Sequence, residues 1–209
     1  MIIGNRVGAI LFIGIILVTC TIGSADNFQA VQNYNQAVDL AYQGKYTDAL
    51  EYIDRALEEN SNFTLAFVTR AGILNALGRY PEAVQAADQA IALNPEQADA
   101  WNNRASALNQ MQRYEEGLVA ADRATALDLN LTEAWVNKGT ALIELKQYSE
   151  ALSASEQALA QDPRSEAAQQ NLETAQRGLS PTPTQALIPI TTILMAVLFG
   201  IGLLLSRKI

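Results

Sequence analysis

The sequence has no histidine and a single cysteine, Cys20, which lies in an apolar stretch near its start. Between residues 26 and 179 neither residue type occurs, so zinc sites, thiol catalysis and Ser-His-Asp triads have nothing to be built from. No glycine-rich phosphate loop is present among the 12 glycines. Basic residues are also scarce, with 14 Lys+Arg against 22 Asp+Glu. Three of the bases (Arg6, Arg207 and Lys208) lie near the two ends, while every acid falls between Asp26 and Glu173. Such an acidic surface repels nucleic acid and anionic lipid heads. The expectation is a protein that is not an enzyme, holds no cofactor or metal and binds no nucleic acid.

What the chain does have is a period. The stretch from Thr64 to Gln97 matches itself when shifted by 34 residues in either direction. Tyr46, Tyr80, Tyr114 and Tyr148 fall in register, as do Ala56, Ala90, Ala124 and Ala158. A fixed period of this length marks a repeat array. Within one copy, Ala71, Leu74 and Leu77 recur at helical spacing and predict a helix over Thr64–Leu77. Gly78 is placed to end it in the left-handed conformation. Pro81 suits a first helical turn, and Ala83, Val84, Ala87, Ala90 and Ile91 form the inner stripe of a second helix stopped at Asn94-Pro95. Thr47 reads as the N-cap of the matching helix in the first copy, and Gly178 as the end of the last helix.

This pattern resembles the tetratricopeptide repeat, a helix–turn–helix unit. Trp101 and Trp135 match its early aromatic, with Phe67 and Asn33 standing there in the other copies. Ala37, Ala71, Ala105 and Gly139 match its small residue; Ala49, Ala83 and Ala151 match that of its second helix, where the third copy has Gly117. Pro95 and Pro163 match its closing proline. The resemblance implies an all-α right-handed superhelix of four repeats, at 30–63, 64–97, 98–131 and 132–165, with a capping helix at 166–179. Stacked units of this kind bury a core that none of them could form alone.

The flanks point to a membrane. Residues 1–25 read as an export signal, with Arg6, an apolar run over Val7–Val18 and small residues at Gly23-Ser24-Ala25. An uncleaved anchor and a lipoprotein attached at Cys20 are the other two readings. A Pro/Thr linker at 180–185 leads to 20 uncharged residues, 186–205, long enough for a transmembrane helix. The tail at 206–209 carries Arg207 and Lys208, which keep it cytoplasmic by the positive-inside rule. The expected topology is a single pass with the repeats on the outer side of the cytoplasmic membrane.

The family resemblance places ligands on the concave face, lined by the first helix of each repeat. The matching residues include Tyr34, Val38, Asn75, Asn102, Ser106, Asn109, Asn137 and Thr140. Some relatives clamp a peptide's terminal carboxylate with Lys, Asn and Arg; here Tyr34, Val38, Asp99 and Asn103 stand at those places, so that clamp is missing. Arg70, Arg104 and Lys138 recur once per repeat and are expected to pair with the periodic acids Asp54, Asp88, Asp122 and Glu156. Trp101 and Trp135 are expected to pack rather than to stack a sugar. Asn62 and Asn130 head glycosylation acceptor patterns two repeats apart. The functional expectation is a membrane-tethered, non-catalytic scaffold for a protein or peptide; a self-associating envelope protein is the alternative.

Overall fold

The computed structural model describes residues 27–180, and the export signal, the linker beyond Ser180, the apolar segment at 186–205 and the tail lie outside them. No helix among the described residues is long and apolar enough to cross a membrane. The described residues form nine helices: α1 (27–42), α2 (Tyr46–Glu59), α3 (Thr64–Ala76), α4 (Tyr80–Leu93), α5 (Ala98–Gln110), α6 (Tyr114–Leu127), α7 (Thr132–Glu144), α8 (Tyr148–Gln161) and α9 (Glu166–Leu179). Each odd-numbered helix is the first of a hairpin, and each even-numbered helix is the second.

From Tyr46 to Gln161 every helix start and stop repeats with the period. The first helix of each hairpin closes on a residue with positive φ: Gly44 and Gly78 at 73°, Gln112 at 59° and Lys146 at 60°. The amide after it reaches back to the helix, as from Arg79 to the Leu74 carbonyl at 2.9 Å and from Arg113 to that of Leu108 at 2.9 Å. This satisfies carbonyls that a helix end leaves open. A periodic tyrosine then begins each second helix. Thr47 is not the N-cap of α2: that place belongs to Lys45, whose side chain makes no capping bond. Among the described caps that of α9 differs, with Ser165 Oγ accepting from the Ala168 amide at 3.3 Å. Gln112 and Lys146 carry a left-handed backbone that glycine would adopt without a Cβ penalty. Replacing either by glycine is expected to stabilise the fold by about 1 kcal/mol, read as a rise of roughly 2–4 °C in thermal midpoint.

Alanine dominates the core. Ala71, Ala83, Ala90, Ala105, Ala120, Ala124, Ala141 and Ala158 are all buried, and Leu74, Leu108 and Leu142 supply the larger volume. Small residues let helix axes approach, which buries backbone as well as side chains. The packing is one-sided. The backbones of successive first helices come close to one another (α3 with α5, α5 with α7, α7 with α9), whereas those of the described second helices do not. Closer spacing on one side than the other curves the stack into a superhelix, with the first helices on its inner face.

The last helix is more than a cap. Its residues hold the register of a further first helix: Ala168 and Ala175 are buried, as are Ala134 and Ala141 one period earlier. Gln169, at the tryptophan position, donates to the Pro163 carbonyl at 3.0 Å as Trp101 does to that of Pro95 at 2.9 Å. Gly178 does not end α9, which runs on to Leu179. A Cβ there would collide with the Tyr148 ring, so glycine answers a close approach between α8 and α9.

Candidate functional site

The inner face is knitted together by asparagines at one periodic position. Asn103 Nδ2 donates to the Val68 carbonyl at 3.1 Å, Asn137 Nδ2 to Asn102 Oδ1 at 2.7 Å and Asn171 Nδ2 to the Val136 carbonyl at 3.0 Å. Each joins one first helix to the one before it. A second set runs the other way, from Asn75 Nδ2 to the Asn103 carbonyl and from Asn109 Nδ2 to the Asn137 carbonyl, both at 2.9 Å. Reciprocal amide bonds of this kind fix the rotation of neighbouring helices, because a slip would strand polar groups.

Between these helices lies a groove of about 320 Å³. It brings together four of the predicted residues, Asn75, Asn102, Ser106 and Asn137, with Val136 on its floor and Glu133 and Asp162 at its rim. The Asn102 Nδ2 group and the Ser106 hydroxyl have no hydrogen-bond partner among the described residues, so both can meet a ligand. Asn109 is placed differently. It is buried at 7 % exposure, its Nδ2 is committed to Asn137, and its Oδ1 faces Gly117 on the second helix of its own hairpin. Its role is packing. Thr140 is also engaged, donating to the Val136 carbonyl at 3.0 Å and accepting from Asn171 at 3.2 Å. Tyr34 and Val38 line a separate hollow of about 340 Å³ with Ala41, Tyr42 and Thr69. The inner face therefore has an apolar end at the first repeat and a polar stretch over the third and fourth, rimmed by Glu133 and Asp162.

The outer side of the array holds the periodic charges. Arg70 pairs with Asp54 at 2.7 Å, Arg104 with Asp88 at 2.8 Å and Lys138 with Asp122 at 2.8 Å, each linking a first helix to the preceding second helix. The basic ladder is thus spent on structure, as the spacing predicts for Asp54, Asp88 and Asp122; Glu156 has no ion pair among the described residues, since Leu172 stands at the matching basic position. Two further arginines grip the acids three residues on: Arg79 holds Glu82, and Arg113 holds Glu116. Hydrogen bonding from these guanidinium groups keeps both carboxyls below the usual glutamate range. Trp135 packs against the core and donates to the Leu129 carbonyl at 2.9 Å, as Trp101 does one period earlier. Neither indole is presented as a stacking platform.

The inter-repeat turns share a further periodic feature. Asn60, Asn94, Asp128 and Asp162 each accept from the amide two residues on, at 3.0, 3.1, 2.8 and 3.0 Å, shaping every inter-repeat turn alike. Their common 34-residue spacing was the available signal. Asn62 and Asn130 sit in these turns and are exposed.

Comparison with known proteins agrees with this architecture. Profiles described as tetratricopeptide repeat match residues 34–88, and 98–131 with 132–165; a third, TPR repeat, matches 72–112. Together they run unbroken from 34 to 165, well over half of the chain. The chain belongs to the tetratricopeptide repeat family. No curated protein sequence matches it. Among solved structures, the array is similar to MamA (17% identity, 72% of this chain and 82% of that one, TM-score 0.62). It is also similar to YrrB, described as a TPR protein with an unusual peptide-binding site (24% identity, 72% and 86%, TM-score 0.56). A third is the first TPR of Spaghetti (RPAP3), bound to an HSP90 peptide (23% identity, 56% and 94%, TM-score 0.54). At these identities the likeness is one of fold.

Proposed function

We propose that this tetratricopeptide repeat array is a non-catalytic scaffold that holds an extended segment of a protein partner on its inner face, tethered to the outer side of the cytoplasmic membrane by the segment at 186–205. The observation that carries the reading is the groove at Asn102, Ser106 and Asn137. It offers amide and hydroxyl groups that can hydrogen-bond a peptide backbone without demanding a charged side chain. Two of the similar folds are described with peptides or a peptide-binding site, which supports a peptide as the ligand class. The partner differs from the acidic HSP90 peptide SRMEEVD held by one of them. Tyr34, Val38 and Asp99 offer no cation to a terminal carboxylate, and Glu133 and Asp162 at the groove's rim would repel one.

The tether and the groove are tested together. Intact spheroplasts bearing the full chain are treated with a membrane-impermeant amine crosslinker. The wild-type chain is expected to give a defined crosslinked product, and Asn102→Ala combined with Ser106→Ala to reduce it by about tenfold or more. The variant's thermal midpoint should fall by only about 2–4 °C, because Asn102 gives up one half-buried bond from Asn137 and neither side chain is in the core. A product that forms only after lysis would place the array on the other side of the membrane. An undiminished product from the variant would remove the groove from the interface.

A further inference from the structure

The array carries a four-charge cluster at two of the junctions where a second helix, the next first helix and the next second helix meet. At the first junction the members are Asp54, Arg70, Arg79 and Glu82; at the second they are Asp88, Arg104, Arg113 and Glu116. Both are neutral. In each, the last arginine holds its glutamate through two parallel bonds, at 2.7 and 2.5 Å for Arg79 and 2.7 and 2.6 Å for Arg113. The same arginines lie near enough to feel Asp54 and Asp88.

The third junction is built to the same plan with one member missing. Asp122, Lys138 and Glu150 are present and in register, but Gln147 stands where the other two junctions have arginine. Lys138 is committed to Asp122 at 2.8 Å and lies over the Trp135 ring at 5.3 Å, while Glu150 has no ion pair among the described residues. The junction is left with one excess negative charge. A groove of about 370 Å³ opens between α6, α7 and α8, with Glu150 and Gln147 at its edge and Leu118, Trp135 and Leu142 along it.

We propose that this groove is a receptor for an arginine side chain presented by a protein partner. The protein itself shows twice what fills the place: a guanidinium bonded by its planar fork to the glutamate and neutralising the cluster. Arginine is selected over lysine because the sister sites use two parallel N–H···O bonds, which an ammonium cannot reproduce. The apolar wall of Leu118 and Leu142 accommodates the methylene stem beside the charged head. The site lies on the outer side of the array, away from the inner groove, so one chain can engage two segments at once.

The test uses the full chain, purified with detergent, in a Trp101→Phe background so that Trp135 is the sole indole. Phenylalanine is native at that position in the second repeat, as Phe67. N-acetyl-arginine methylamide is titrated while Trp135 emission is followed, with the neutral citrulline counterpart as control. A saturable change is expected with the arginine probe and none with citrulline. Glu150→Gln should weaken the response by about tenfold or more, since it removes the charge that the fork would hold. Gln147→Arg should abolish it while raising the thermal midpoint, because the chain then supplies its own guanidinium. Equal responses to the two probes, or undiminished binding by Gln147→Arg and Glu150→Gln, would overturn the proposal. Self-association that Gln147→Arg alone removes would overturn the assignment to a foreign partner and give the site to a second copy.

Discussion

Leu108→Ala is expected to destabilise the array by about 2–5 kcal/mol, the range for deleting a fully buried leucine where the surroundings cannot collapse. Leu108 is wholly buried, on α5, between Ala105, Ala120 and Ala121. Its buried neighbours are alanines, with Val84 and Trp101 packed at the edge of the cluster. The alanines have no rotamers with which to fill the space, so much of the cavity persists. The position matters as much as the residue. A repeat array is held by nearest-neighbour interfaces, and α5 contacts α3, α4, α6 and α7. A defect there weakens the coupling of both halves. Leu40→Ala, at the matching place in the first repeat, should cost less: Leu40 is 8 % exposed and its repeat has a neighbour on one side among the described residues. Thermal denaturation followed by circular dichroism should show a broader, less cooperative transition for Leu108→Ala, starting about 5–15 °C lower. Equal losses at the two positions would mean that the array melts as a single unit.

The hairpins and the outer ion pairs were legible because both obey the period. Once Tyr80 finds Tyr46, Tyr114 and Tyr148, the order and spacing of the hairpins follow, and Arg70 with Asp54 needs only the same count. The inner face was harder. Asn102, Ser106 and Asn109 fall on one helical face in sequence, yet Ser106 faces the groove while Asn109 is buried against Gly117 of its own hairpin and bonded to the Asn137 carbonyl. Periodicity tells which face of a helix points inward; it does not tell how far the following helix extends over it. Helix ends were misread for a related reason. Thr47 has the chemistry of a cap and Gly178 that of a terminator, but tertiary contacts set both places: the Tyr46 start is imposed by the left-handed turn before it, and Gly178 by the ring of Tyr148.

Gly117 is where sequence and structure diverge in sign, and it gives a second large effect. Read along one helix, a glycine at the end of the first turn of α6 is a fault that Gly117→Ala should repair, by up to about 1 kcal/mol of helix propensity. The structure predicts the reverse. A Cβ at 117 would overlap Asn109 Oδ1, so the buried amide must be displaced toward the half-buried place that Asn75 takes opposite Ala83, where Asn75 keeps its own 2.9 Å bond to the Asn103 carbonyl. Overpacking of this kind costs about 1–3 kcal/mol, so Gly117→Ala is expected to be neutral at best and destabilising by up to about 2 kcal/mol. In the second repeat the aligned pair is Asn75 and Ala83, and Asn75 stays half-buried there. Removing the amide should restore the ordinary sign: in an Asn109→Ala background, Gly117→Ala should stabilise by about 1 kcal/mol. Urea denaturation of the four proteins closes the cycle, with a coupling of about 1–3 kcal/mol expected. Effects that simply add, to within about 0.5 kcal/mol, would show that Asn109 can turn away at no cost and that Gly117 is not its counterpart.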